Sequence, residues 1–384
     1  MLCLFDSRLV VQNDITKNKY FLQVVSASIE QSSIIPTASI EVIANNGDVD
    51  YLSAISFDNL VWLETSMRYS DNERVVWEKC FEGRIISQSE QWGNGSTATI
   101  LCVGHAIETA NKLILPQTPS GAAVTTEFPP GTDASRIVGA FGGLLTRTGF
   151  IVPESSFQTE YKAVPYQKYI KDVLEDLVYI SAGSYFFETR TIYNAAQVVT
   201  SCLIHMRPVP TTPKTVIKSG TPKLFSAHFE SDGGEVWNYI IQRGNTPEGG
   251  TQYQGIAQDA TSITAYHARQ KVDVDTSLNS NDLCQSLAAG KLAITKNPKI
   301  TGTAEIILSP EIKWKDLVTV NIKQIRLNGS ELNANLRVES VRHEIPHRGF
   351  PTTILEFGSL QKSTDDYLAE FYLKNRLTNS QFIS

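Results

Sequence analysis

The segment His343–His347 has the residue types that metal chemistry would need. It reads HEIPH and matches H-E-x-x-H, in which two histidines one helical turn apart bind zinc and the glutamate acts as general base. The surrounding sequence argues against a helix, because Pro346 removes a helical N–H and the preceding residues LRVESVRH alternate as a strand does. We therefore predict the end of a strand and reject His343, Glu344 and His347 as metal ligands.

Other candidates for chemistry are weaker. The glycines of Gly139–Gly143 lie in a predicted helix and do not follow a strand, so they do not match a phosphate-binding loop. Asp172, Glu175 and Asp176 share a helix face with lysines, which is typical of a solvated surface. The sequence has no G-x-S-x-G and no Walker pattern. We predict no catalytic residue, no cofactor and no enzymatic activity.

Composition limits the partners and the compartment. The net charge is −6 and no run of Lys or Arg occurs, which argues against a protein that binds phosphate backbones. The five cysteines have no CxxC spacing and favour folding in a reducing cytoplasm over a disulfide scaffold. No stretch approaches the roughly 20 apolar residues of a membrane span. We expect a soluble protein made in the cytoplasm.

An internal repeat organises the chain. Between Thr301 and Gly358, runs of alternating apolar and polar residues are separated by Pro, Gly or Asn, which predicts antiparallel strands. The same order of runs occurs earlier, in Thr37–Ile43, Asp58–Tyr69, Val75–Gln91 and Thr97–Gly104. Leu60 matches Leu317 at an offset of 257, and Thr99-Ile100-Leu101 matches Thr353-Ile354-Leu355 at an offset of 254. The pattern predicts a duplicated β-domain.

Breaker-rich segments divide the chain further. We predict a first β-domain over 1–115, an α+β insert over 116–222, a second β-domain over 223–360 and a helical tail over 361–384. The fold class is therefore mostly β, with two barrel or sandwich domains that each carry a helix and flank a small α+β domain. Helices are predicted after the cap Asp133, from Pro165 with Tyr166 and Tyr169 on its apolar face, and after the cap Ser280.

The tail has its own apolar stripe. A helix is predicted to begin at Ser363, with Tyr367, Leu368 and Phe371 on one side. Such a helix either docks back on its own domain or binds a partner chain. These three aromatic and aliphatic residues are the candidate partner-binding residues.

Three stretches together carry a resemblance to a known family. They are the strand FEGRIISQ (Phe81–Gln88), the run YQKYIKDVLEDLVYISAGSYFFE, and VWNYIIQRG followed by DATSITAY (Asp259–Tyr266). In these stretches the chain resembles the hub proteins of phage tail baseplates and related contractile injection systems, and the resemblance covers most of residues 1–360. In several relatives a glycine follows that tyrosine, whereas this chain has His267.

The resemblance implies a homotrimer. Hubs of this family carry two similar barrels per chain, related to the tail tube protein, so that three chains form a ring of six. The implied partners are the tail tube above and the central spike below, with tape measure and baseplate wedge proteins as further candidates. DNA passes through the lumen without specific binding, and the implied location is the virion baseplate, after assembly in the host cytoplasm.

Two alternatives remain open from the sequence. One is a distal-tail or tip protein of a non-contractile phage, and the other, from a different class, is a cell-wall peptidase that uses HEIPH. Relatives that puncture envelopes by fusion carry a needle or lysozyme module in the same polypeptide. This sequence ends about 25 residues after the second predicted β-domain, so any spike is expected to be a separate protein.

Overall fold

The computed structural model describes residues 4–43, 56–68, 75–91, 97–129, 132–151, 158–159, 166–180, 185–220, 223–276, 278–327 and 329–358. The described residues belong to two compact units. One lies within Met1–Ala227, Thr303–Thr319 and Val338–Phe357, and the other within His228–Gly302, Val320–Arg337 and Gly358–Ser384. In the described part of the chain, no helix is both long and apolar enough to cross a membrane.

Six antiparallel strands at the start of the chain close into a barrel. They are β1 Leu4–Gln12, β2 Lys19–Gln31, β3 Thr37–Ile43, β4 Leu60–Arg68, β5 Glu78–Gln91 and β6 Thr97–Val103. Their order is β1-β4-β5-β6-β3-β2, and β1 also pairs with β2, which completes the circle. Alternation places one set of side chains inside, where Leu9, Ile40, Leu63 and Ile100 are fully buried.

The insert that follows is a small α+β unit. It contains α1 Ile107–Asn111, β7 Thr132–Asp133, α2 Ala134–Ala140, a 3-10 turn Gly142–Leu144, β8 Thr148–Ile151, β9 Gln158–Thr159, α3 Ile170–Ile180, β10 Tyr185–Tyr193 and β11 Val199–Pro208. Strands β10 and β11 are antiparallel, and β8 runs parallel to β11. Ile137 of α2, Phe141 directly after it, and Ile170 and Leu174 of α3 pack into one core with the sheet.

One helix boundary differs from the sequence prediction. Helix α3 begins at Ile170, so Tyr166 and Tyr169 lie outside it and are about half exposed. Gln167 has a φ of +67°, which a right-handed helix cannot contain. The prediction of a helix from Pro165 was therefore correct only from Ile170 onward.

Of the nine remaining strands described, six repeat the strand order of the barrel. The nine are β12 Thr215–Lys218, β13 Leu224–Asp232, β14 Tyr239–Arg243, β15 Gln254–Gln258, β16 Gln270–Val274, β17 Lys299–Ile307, β18 Leu317–Leu327, β19 Ser330–Ile345 and β20 Thr352–Gly358. Six of them pair in the order β12-β18-β19-β20-β17-β13. Position for position, this is the order β1-β4-β5-β6-β3-β2. The repeat therefore comprises six strands, two more than the four runs matched in the sequence.

Between β13 and β17 the chain adds a small layer of its own. Strands β15-β14-β16 form a sheet, and helices α4 Ala260–Tyr266 and α5 Asn281–Thr295 accompany it. Ser280 caps α5 as predicted, because its Oγ accepts the Leu283 N–H at 3.2 Å. The predicted mostly-β fold with helical additions is confirmed. The predicted domain limits of 1–115, 116–222, 223–360 and 361–384 stay predictions.

Candidate functional site

The histidines of HEIPH do not converge on one point. His343 and Glu344 are consecutive residues of β19, so their side chains leave the strand on opposite faces. His343 is 5% exposed, its Nδ1 lies 2.9 Å from Thr353 Oγ1, and burial lowers its pKa to about 4. Glu344 Oε1 accepts a hydrogen bond from Ser28 Oγ at 2.8 Å, and His347 is exposed in the following loop. The predicted strand end is confirmed.

No other metal-binding constellation occurs in the part of the chain that the structure describes. No three His, Cys, Asp or Glu side chains there are grouped so that they could hold an ion. The four described cysteines are free thiols.

A cleft of about 240 Å³ lies beside His343. Burial raises the pKa of Cys80, which also lines it, to about 12, and lowers that of His343. The thiol and the imidazole are therefore both neutral near pH 7, which opposes thiolate chemistry of the cysteine–histidine type. The cleft is lined by Ile29, Gln31, Pro36, Lys79, Cys80, Phe81, Glu82, Phe186, Glu188, Thr189, Pro310, Ile312, Lys313, Trp314 and His343.

The two six-strand sets share an unusual backbone turn. Asp58, just before β4, has a φ of +67°, and Lys315, just before β18, has a φ of +68°. Ile85 exchanges two backbone hydrogen bonds with the first turn, of 2.9 and 3.2 Å, and Val338 does the same with the second, of 2.8 and 2.9 Å. Residues other than glycine rarely adopt a positive φ, so its occurrence just before both strands marks these two positions as equivalent. It equates β4 with β18 at an offset of 257 and β5 with β19 at 253.

A cross-strand hydrogen bond also occurs in both sets. Ser26 Oγ on β2 donates to Glu41 Oε2 on β3 at 2.9 Å, and Ser226 Oγ on β13 donates to Glu305 Oε2 on β17 at 3.2 Å. These pairs equate β2 with β13 at an offset of 200, and β3 with β17 at 264. The equivalence of β2 with β13 could have been found in the sequence, because SASIE at 26–30 and SAHFE at 226–230 share three residues in register.

Burial corrects one sequence match. Strand β6 buries Ala98, Ile100 and Cys102, and β20 buries Thr353, Leu355 and Phe357 in the same alternation, which gives an offset of 255. The match at 254 paired Leu101, which is 41% exposed, with the fully buried Leu355. A shift of one residue reverses the face of every side chain, so this alignment was wrong.

An internal junction joins one set to the other, edge to edge. Residues 27–31 of β2 pair antiparallel with residues 341–345 of β19, with Ser28 opposite Glu344 and Glu30 opposite Arg342. Ile345, from the second set, is buried in the core of the first barrel. We take this junction as the candidate functional site, because it shows how one copy of the repeat attaches to another through backbone pairing.

Solved structures share this fold over nearly the whole chain. A 43 kDa tail protein of prophage MuSo2 from Shewanella oneidensis matches with a TM-score of 0.53 and 10% identity, over 94% of this chain and 99% of that one. Prophage tail protein gp18 from Listeria monocytogenes matches with a TM-score of 0.52 and 11% identity, over 94% and 98%. The chain has the fold of phage tail proteins.

The same fold extends to a longer chain outside the prophage proteins. A chain of the PdpA–VgrG complex of Francisella matches with a TM-score of 0.51 and 10% identity, and the match covers 94% of this chain and 53% of that one. No protein-family model matches the sequence, and no curated protein matches it. At these identities the likeness concerns the fold.

The predicted partner-binding residues are not part of this geometry. Tyr367, Leu368 and Phe371 lie outside the described residues. The junction between β2 and β19 was not predicted, because strand pairing across 314 positions, as between Ile29 and His343, leaves no local pattern in the sequence.

Proposed function

We propose that this chain is a structural, non-enzymatic hub of a phage tail baseplate. Three copies would form a ring of six similar six-stranded units that joins the tail tube to a central spike. The observation that carries the proposal is the duplicated strand order, together with the internal junction that links the two copies edge to edge. The fold shared with phage tail proteins supports it.

Symmetry gives the duplication a purpose. Side-by-side contacts between unlike edges build a closed ring when the rotation between neighbours divides the circle. A chain with two equivalent units then supplies two positions of the ring. Three such chains present sixfold-like geometry to a tube on one face and threefold geometry to a spike on the other.

The charge balance suits a conduit. DNA binds proteins mainly through clustered Lys and Arg, and this chain has a net charge of −6 without such clusters in its sequence. A wall of this kind lets DNA slide without holding it. We propose that DNA passes through the lumen of the ring.

Assembly in solution tests the proposal. We expect the purified chain to be a trimer and to bind both the tail tube protein and the spike protein of the same particle, measured by mass photometry and by co-elution. A stable monomer that joins neither protein would contradict the hub function.

The C-terminal segment is the proposed spike contact. Tyr367, Leu368 and Phe371 form an apolar stripe in the sequence, which suits docking of a helix on a partner. Deletion of residues 363–384 is expected to abolish co-elution with the spike protein and to leave the trimer intact. Retained spike binding by the truncated trimer would reject this contact.

A further inference from the structure

The cleft of about 240 Å³ beside His343 borders the internal junction. Ile29 and Gln31 of β2 and His343 of β19 line one part of it. The other described lining residues come from β5, from β10 of the insert, from the loop before β18 and from Pro36, and all of them belong to one compact unit. The proposed ring does not use this cleft, so its chemistry is a separate question.

His343 supplies a hydrogen-bond donor to the cleft. Thr353 is fully buried, and its Oγ1 accepts the Ser309 N–H at 2.8 Å. The Thr353 hydroxyl proton then has His343 Nδ1, at 2.9 Å, as its acceptor among the described residues. Because burial lowers the pKa of His343 to about 4, the ring is neutral near pH 7 and its proton is on Nε2. No described residue accepts this N–H, although His343 is only 5% exposed, and a buried donor needs a partner.

The amide of Gln31 lies beside this donor. Ile29 is directly opposite His343 in the junction, and Gln31 follows Ile29 by two residues. Strand alternation therefore places Gln31 and His343 on the same face. The Gln31 side chain forms no hydrogen bond with any described residue. An amide donates and accepts, so the two side chains together offer both kinds of hydrogen bond to a ligand.

The charged groups of the cleft balance one another. Its described lining contains two lysines, Lys79 and Lys313, and two glutamates, Glu82 and Glu188. Lys79 Nζ lies 3.6 Å from Glu82 Oε1, and Arg207 Nη1 donates to Glu188 Oε1 at 2.9 Å. An anion such as phosphate would meet two carboxylates, and a cation would meet two ammonium groups. The lining therefore favours a neutral ligand.

Apolar side chains complete the lining. Phe186 and Trp314 meet edge to face, with ring centroids 5.9 Å apart and ring planes at 86°, which holds the indole in place. Pro310 and Ile312 lie in the same part of the cleft wall. Pockets for drug-sized molecules measure about 300–1,000 Å³, so this smaller cleft suits a single ring with polar edges and an apolar face.

We propose that this cleft binds one neutral sugar residue. A sugar hydroxyl can accept the His343 Nε2–H, and its neighbours can exchange hydrogen bonds with the Gln31 amide, because hydroxyls both donate and accept. The C–H groups of the sugar ring then pack against the apolar side chains. This binding function goes beyond the hub proposal and does not depend on it.

Saturation-transfer NMR with the full-length chain tests the site. The probes are glucose, galactose, N-acetylglucosamine and N-acetylgalactosamine, with galacturonic acid as the charged counterpart of galactose. Gln31→Leu removes the amide at similar side-chain size and is expected to weaken sugar binding about 10-fold. The matched control is Gln23→Leu, at an exposed residue of the same strand that does not line the cleft, and it should bind sugar as the unaltered chain does.

Trp314→Leu removes the indole from another part of the cleft and is expected to weaken binding in the same direction. Thermal melting shows that each compared variant is folded. Stronger binding of a methyl glycoside than of the free sugar would support the end of a glycan as the ligand, and the reverse would support a free sugar.

Three results would overturn the proposal. They are no saturation transfer to any neutral sugar, stronger binding of galacturonic acid than of galactose, and equal sugar binding by folded Gln31→Leu, Trp314→Leu and the unaltered chain. None of these results affects the hub proposal, which trimer formation and binding of the tube and spike proteins test separately.

Discussion

At the residue scale, the buried side chain of Glu108 uses both of its carboxylate oxygens in local hydrogen bonds. The Glu108 carboxylate accepts the backbone N–H groups of Thr146, Arg147 and Thr148 at 2.6, 3.0 and 2.7 Å, and it also accepts the two threonine hydroxyls. Burial opposes ionisation of Glu108, but hydrogen bonds from Thr148, Thr146 and Arg147 outweigh it and lower the pKa below the usual 4.5. This residue fixes the segment that leads into β8.

Glu108→Gln is expected to destabilise the chain by about 1–3 kcal/mol, because an amide cannot accept all of these donors. Since the folded pKa of Glu108 is lowered, its stabilisation is fully present above the unfolded value and is lost as the pH falls towards the folded value. Urea unfolding at neutral pH and at lower pH would measure both effects. Glu127→Gln, at an exposed site, is the matched control and should change little.

His267 is a second residue with a testable cost. It ends α4 with φ +60° and ψ 167°, a conformation that glycine adopts far more readily, and glycine follows the tyrosine in relatives of the family that the sequence resembles. His267→Gly is expected to raise the free energy of unfolding by about 1 kcal/mol, because the backbone strain is relieved. The melting temperature should rise accordingly. His347→Gly, at an exposed loop position without positive φ, should give no gain. Equal effects of the two variants would refute the strain argument.

At the scale of elements, the internal junction makes the first barrel depend on the second repeat. Ile345 of β19 is 3% exposed and contributes to the core of the first barrel. Ile345→Ala is therefore expected to cost about 2–5 kcal/mol of unfolding free energy. Ile15→Ala, at a residue that is 91% exposed, should leave the denaturation midpoint unchanged. A neutral Ile345→Ala variant would mean that the junction contributes little to stability.

Strands were predictable where alternation was clear, and their equivalences were not. Alternating apolar and polar residues correctly predicted the strands β4, β5, β18 and β19, and the capping residue Ser280 correctly predicted the start of α5. The correspondence of β2 with β13 was hidden because β14, β15, β16, α4 and α5 are inserted before β17, so the offset jumps from 200 to 264. A comparison that assumes a constant offset cannot align strands across such an insertion. The Ser26–Glu41 and Ser226–Glu305 hydrogen bonds show the equivalence of the strands directly.

Strand edges were the part of the site that sequence could not supply. Which edge of β2 meets β19 depends on how β1 leaves the second half of β2 uncovered, since β1 pairs only with residues 19–23. That is a property of the assembled barrel and not of any local pattern. HEIPH illustrates the converse, because strand alternation alone already separated His343 from a helical metal site.

At the scale of the whole molecule, the proposed function depends on how the two strand sets are arranged. Among the described residues, two equivalent strand sets are joined by one internal junction, and the proposed ring would repeat this arrangement from chain to chain. Closure after three copies would give a ring with a central channel, and no catalytic group is needed for that role.

Single-particle electron microscopy of the isolated chain would show whether three copies close into a ring. We expect closed rings of three chains, with six similar lobes around an open centre. Monomers, or open chains of variable length that never close, would contradict it.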